Sequence, residues 1–136
     1  MRTGGCQCGA VRYEIQDEPL ALFACHCLEC RKQSASAFGI SFIARRAELR
    51  LTQGIPASWV RSADSGNRVR CWFCPDCGSR LWHDSEPVSE TVSIKGGSLD
   101  APVDFAKAVH IWTARKLPGF AIPPGAEQYP GEPPEG

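Results

Sequence analysis

Sulfur carries most of the chemistry this sequence could do. Eight cysteines occur among 136 residues, and seven of them fall into three short motifs: Cys6-x-Cys8, Cys25-x-Cys27-x-x-Cys30 and Cys74-x-x-Cys77-Gly78. Two cysteines separated by two residues and followed by glycine let a tight turn aim both sulfurs at one tetrahedral metal, with Zn–S distances of about 2.3 Å. Such a knuckle supplies two of the four ligands a structural zinc takes. Cys6 and Cys8 are the natural second pair, and the union predicts a closed site that ties the amino terminus to the middle of the chain.

The middle motif, CHCLEC, offers three sulfurs from one tight stretch, Cys25, Cys27 and Cys30. Three protein ligands with an open fourth position are the mark of a catalytic zinc. His26 is the rival fourth ligand, but along an extended Cys25–Cys27 backbone side-chain alternation turns it away from the two sulfurs. A divalent zinc held by three thiolates has a formal charge of about −1 and is a poor Lewis acid. It still favours the thiolate form of a bound thiol that otherwise titrates near ~8.5. Arg31 and Lys32 directly follow the trio and are the predicted cations for an anionic thiol substrate, although such a pair is equally at home as a solvated helix edge. The unpaired Cys71 reads as a small buried hydrophobe.

The elements that must position these residues are mainly strands. Segments 10–15, 20–25, 37–44, 48–52, 58–62, 68–73, 80–83, 91–95 and 109–113 are rich in Val, Ile, Phe, Trp and Tyr, the composition of strands. Val11, Tyr13 and Ile15 alternate with Arg12 and Glu14, so one face is buried and the other wet. Gly54-Ile55-Pro56, Asp64-Ser65-Gly66-Asn67, Gly96-Gly97 and Pro118-Gly119 separate them as turns, Gly96-Gly97 as a hairpin. The best helical stretch is 28–35. Trp59, Trp72, Trp82 and Trp112 are expected to pack in the core or on strand faces, and His83 and His110 to be structural or surface residues. From Pro123 the composition turns to proline, glycine and glutamate. The expected organisation is a β domain over 1–122 and a tail over 123–136, mobile or draped over the surface. The fold class is all-β with at most one short helix.

Fifteen basic residues balance fifteen acidic ones, which speaks against a polyanion partner such as nucleic acid. The longest apolar run, 20–24, is far short of the ~20 residues a membrane helix requires. The opening MRTGGCQCGA has no apolar signal-peptide core, so a cytoplasmic location is expected. A reducing cytosol does not sustain a disulfide framework, and so paired cysteines there point to metal.

Taken together, GGCQCGAVRYEI, CHCLECRKQSASAFG, FCPDCGSRLW, VSIKGGSLD and HIWTARKLPG resemble the glutathione-dependent formaldehyde-activating enzyme family, which also includes centromere-protein-V-like proteins. The resemblance runs from residue 4 to about residue 119. It implies a β-tent-like fold in which Cys6, Cys8, Cys74 and Cys77 hold a structural zinc and Cys25, Cys27 and Cys30 hold a second, catalytic one. The implied activity is a carbon–sulfur lyase reaction, the reversible formation of S-hydroxymethylglutathione from glutathione and formaldehyde. The expected partners are a small thiol such as glutathione and a small aldehyde. The alternative is a non-catalytic interaction module stabilised by zinc.

Overall fold

In the computed structural model, which describes residues 1–63 and 65–134, the chain forms two sheets. Asp64 of the predicted turn and Glu135 and Gly136 of the predicted tail lie outside the described residues. The smaller sheet is antiparallel, β1 (Arg2–Gly5), β2 (Arg12–Ile15) and β5 (Arg50–Gln53), in the order β1-β2-β5. The larger has seven strands: β3 (Ala21–Cys25), β4 (Gly39–Arg45), β6 (Ala57–Ser62), β7 (Arg68–Phe73), β8 (Arg80–Glu86), β9 (Thr91–Lys95) and β10 (Val109–Ile111). Their order is β10-β3-β4-β9-β8-β7-β6, antiparallel except for the β10–β3 pair. One α-helix, α1 (Leu28–Ser34), is found among the described residues. The chain is therefore mostly β with one short helix.

Alternation builds the core. Tyr13 and Ile15 of β2 are fully buried, while Arg12 and Glu14 face outward. They meet Leu22 and Ala24 of β3, Phe42 and Ala44 of β4, and Val92 and Ile94 of β9. Burial of each of the larger apolar side chains contributes about 1.5–3 kcal/mol. Trp82 packs edge-on to Tyr13 and tilted against Trp72. Trp59, by contrast, is 45% exposed on the edge strand β6.

Three boundaries differ from expectation for identifiable reasons. β1 reads RTGG, with no apolar alternation, yet only glycine fits there: a Cβ on Gly4 would lie 2.5 Å from the Tyr13 hydroxyl, and one on Gly5 2.3 Å from the Val11 carbonyl oxygen. β8 runs past His83 because Asp84 and Glu86 find cations, Arg46 at 2.8 Å and Arg70 at 3.0 Å. β10 stops at Ile111 because Trp112 adopts the left-handed conformation, with φ 55°. Beyond it, the proline-rich segment lies along β10. His110 N–H donates to Glu127 O, Tyr129 N–H to His110 O, and Trp112 N–H to Gly131 O.

The other face of the larger sheet is unlike the core. Cys71 lies opposite His83, His83 opposite Ser93, Lys95 opposite Ser41, and Cys25 opposite Gly39. The two-residue period of a strand puts these side chains on one side, away from Phe42 and Ile94. Cys25, Ser41, Cys71, Ser93 and Lys95 are all buried there.

Candidate metal centres

The first centre joins two turns. Cys6 and Cys8 lie between β1 and β2, and Cys74 and Cys77 between β7 and β8; their four sulfurs all fall within 4.8 Å of one another. Cys6 Sγ is 3.6 Å from Cys8 Sγ, which is 3.8 Å from Cys74 Sγ. A tetrahedron with Zn–S bonds of about 2.3 Å has S···S edges of about 3.8 Å, so the donor set fits zinc.

Backbone geometry aims the sulfurs. Gly9 N–H donates to Cys6 O and Gly78 N–H to Cys74 O; both glycines have φ near +80°, which turns the chain back within each knuckle. Val11 N–H donates to Cys6 Sγ at 3.2 Å. The Ser79 hydroxyl lies 3.2 Å from Cys77 Sγ and accepts from Gln7 N–H, so it stitches one knuckle to the other. Hydrogen bonds from the Ser79 hydroxyl and from backbone N–H groups bring the Cys77 thiol down to about 5.

The second centre sits where β3 runs into α1. Cys25 ends β3 and is buried; Cys27 is the N-cap of α1, its Sγ accepting from Cys30 N–H at 3.3 Å; Cys30 lies in the first turn. The three sulfurs again lie within 4.8 Å of one another. Their charge is unevenly held. Cys25 and Cys30 hydrogen-bond Cys27 and push its thiol far down, whereas Cys25 is pushed far up by Cys27 and Cys30. Three crowded sulfurs cannot all ionise without a cation, and a soft divalent metal such as zinc suits this donor set. A Cβ on Gly39 would lie 3.2 Å from the Cys30 Cβ, so the helix is seated against bare backbone.

His26 faces away from this cluster. It is fully buried, its Nε2 is 2.9 Å from His110 Nδ1, and it packs against Phe38 and Phe120. His110 is likewise buried, and burial holds its pKa below the ordinary imidazole value. Cys71 is buried in β7 and belongs to neither cluster. Arg31 and Lys32 follow Cys30 on α1; Lys32 is exposed, Arg31 is half-buried, and its Nε has no hydrogen-bond partner among the described residues.

The strands bring up groups that the linear sequence does not announce. Lys95 is only 8% exposed; burial lowers its pKa, and the neighbouring Cys30, Cys71 and Cys25 act against that shift. Arg61 on β6 has its side chain 15% exposed, with Nε 3.9 Å from Glu29 of α1. His83 between them is pushed down to about 3, by burial first and then by the charges of Lys95 and Arg61. Only cross-strand pairing reveals this grouping. Gly96-Gly97, expected as a hairpin, is a 3-10 turn in which a Cβ on Gly96 would lie 2.4 Å from Ile40 Cγ2.

A cleft of about 840 Å³ runs from the first centre to Lys95, bordered by Cys6, Arg12, Arg80 and Asp100 at one end and by Gln33 and Gly39 at the other. Arg12 forms an ion pair with Asp100 and holds its carboxyl down at about 2. Gln33 Oε1 is buried and has no hydrogen-bond partner among the described residues.

With both cysteine clusters in place, the comparison with known families is decisive, because the model of the glutathione-dependent formaldehyde-activating enzymes matches residues 1–115. The chain belongs to that family. Both cysteine clusters of this glutathione-dependent formaldehyde-activating family member lie wholly within the matched stretch, as does Lys95. A crystal structure of a Rhodobacter sphaeroides protein is similar at a TM-score of 0.58 and 24% identity, over 75% of this chain and 91% of the other, and the likeness is one of fold. Among the described residues of this family member, no helix is long and apolar enough to cross a membrane.

Proposed function

We propose that this protein is a zinc-dependent carbon–sulfur lyase that makes and breaks the adduct of glutathione, or a related small thiol, with formaldehyde or another small aldehyde in the cytoplasm. Cys6, Cys8, Cys74 and Cys77 hold a structural zinc, and Cys25, Cys27 and Cys30 are the catalytic trio that holds the second. The observation that carries the reading is the contrast between a four-sulfur and a three-sulfur cluster in a member of this family. When bound at the trio, zinc would supply a preference for the thiolate form of an incoming thiol.

The chain's own residues do the rest. The cleft has cations in Arg80 and Lys95, the Arg12–Asp100 ion pair and an unpaired amide oxygen in Gln33. That mixture suits a peptide thiol carrying two carboxylates and an ammonium. Arg31 and Lys32 contribute positive charge on α1 beside the trio. In the forward direction the thiol loses its proton, a sulfur electron pair forms the C–S bond to the aldehyde carbon, and the carbonyl π pair moves to oxygen, which takes a proton. The lyase direction runs these events in reverse.

Zinc stoichiometry with and without excess glutathione, paired with formaldehyde consumption, tests the proposal. The expected result is two zincs, one perturbed by thiol, with consumption of formaldehyde. Arg31→Ala should weaken glutathione binding much more than it lowers the melting temperature. Two zincs indifferent to thiol and no consumption would replace the enzyme by an interaction module.

A further inference from the structure

A nearly buried ammonium with no carboxylate partner is expensive, because desolvation of a charge goes uncompensated. Lys95 is such a group: among the described residues none of the ion pairs includes it. The groups around it that can carry negative charge are sulfurs. Cys30 and Cys25 of the trio and Cys71 of β7 act on it, while Arg61 repels it. His83, which shares its face of the sheet, stays neutral and offers no counter-charge.

We infer that Lys95 is the counter-ion of the Cys25–Cys27–Cys30 centre and the positioning residue that lets this centre accept an anionic thiol. The inference rests on the function proposed above and adds to it the residue that makes a fourth anionic sulfur tolerable. Three thiolates with a divalent metal leave about one negative charge, and a substrate thiolate makes it about two. Lys95 cancels one of these from a site of low dielectric, where a unit charge counts for much more than it does on the surface. Its place on β9 fits the task. Lys95 lies opposite Ser41 on β4, two residues from Gly39, the glycine against which Cys30 is seated, and it lines the same cleft. Lys32 is exposed on the helix surface, where solvent screens it more strongly.

The test is zinc competition against a chromogenic chelator, run on the full chain with Lys95→Met, Lys95→Gln and Lys95→Arg beside the parent. In Lys95→Met and Lys95→Gln the quartet zinc should be retained, and affinity for the second zinc should fall about tenfold or more. Glutathione affinity at saturating zinc should fall with it, and Lys95→Arg should restore both to within about threefold. Lys95→Gln keeps a polar stem of similar reach, so it carries the test if Lys95→Met does not fold. Second-zinc affinity unchanged in the neutral variants would overturn the inference, as would a loss that Lys95→Arg shares. If the parent protein consumes no formaldehyde, the enzyme reading fails, and the chelator competition still decides the place of Lys95.

Discussion

His83 shows how far a single residue is governed by what the strands place around it. It lies opposite Cys71 on one side and Ser93 on the other, and burial together with Lys95 and Arg61 holds its pKa at about 3. In the unfolded chain the same imidazole titrates near 6.5. The folded form therefore binds fewer protons below that value, and stability falls as pH drops from about 6.5 toward 3, by up to about 1.4 kcal/mol per pH unit for this group. His26 and His110, also lowered by burial, act in the same direction. Loss of metal in acid adds to all three, so only the difference between variants isolates His83. Denaturant midpoints of His83→Gln measured between pH 7 and pH 4 should decline less steeply than those of the parent protein, and parallel slopes would refute the shift.

At the scale of elements, α1 is a helix that buries no residue fully. An apolar face therefore does not hold it. Cys27 caps its start, Glu29 sits in the first turn where the helix dipole favours an acid, and Ala35 closes its end in the left-handed conformation, donating to the carbonyls of Arg31 and Lys32. Its further anchors are the bare backbone of Gly39 beneath Cys30, the Ser34 hydroxyl donating to Phe38 O, and Glu29 facing Arg61. Gly39→Ala should lift the helix by a few tenths of an ångström and cost about 1 kcal/mol of stability. Affinity for the second metal should drop several-fold, while the quartet zinc stays unaffected; a chelator titration that resolves the two sites will show whether it does. Much of this element pattern was legible in the sequence. The β7 and β9 ranges follow from alternation and β-branched content, and the expected helix over 28–35 coincides with α1 to within one residue. β1 was not, because its glycines are there for close approach to Tyr13 and Val11 and erase the strand signal. The cysteines within each cluster were legible for a different reason, since spacing within a knuckle is local. The grouping of Arg61, Cys71, His83 and Lys95 is set by register between strands far apart in the chain, and no local pattern encodes that.

For the molecule as a whole, the two cysteine clusters have different mechanical positions. The quartet takes one pair from the β1–β2 turn of the small sheet and the other from the β7–β8 turn of the large one, and Cys6 and Cys74 belong to the apolar core. A metal held there would clamp the sheets together at one end. It adds to the shared core, in which Tyr13 and Ile15 pack on the large sheet, and to polar ties such as Gln7 N–H to the Ser79 hydroxyl and Arg45 N–H to Gln16 Oε1. The trio, by contrast, links β3 only to the helix that follows it. Cys74→Ser should therefore lower the melting temperature by at least about 10 °C or prevent folding, because the binding energy of a closed zinc site is folding energy. Cys27→Ser removes one ligand from the trio, but serine is itself a strong N-cap, so α1 should persist. That variant should lose about one zinc per chain and shift the melting temperature by less than about 3 °C. Comparable thermal losses in both variants would mean that the trio also clamps the fold. An exchangeable centre needs the opposite, because a site that must admit a thiol cannot also be the site that keeps the sheets together.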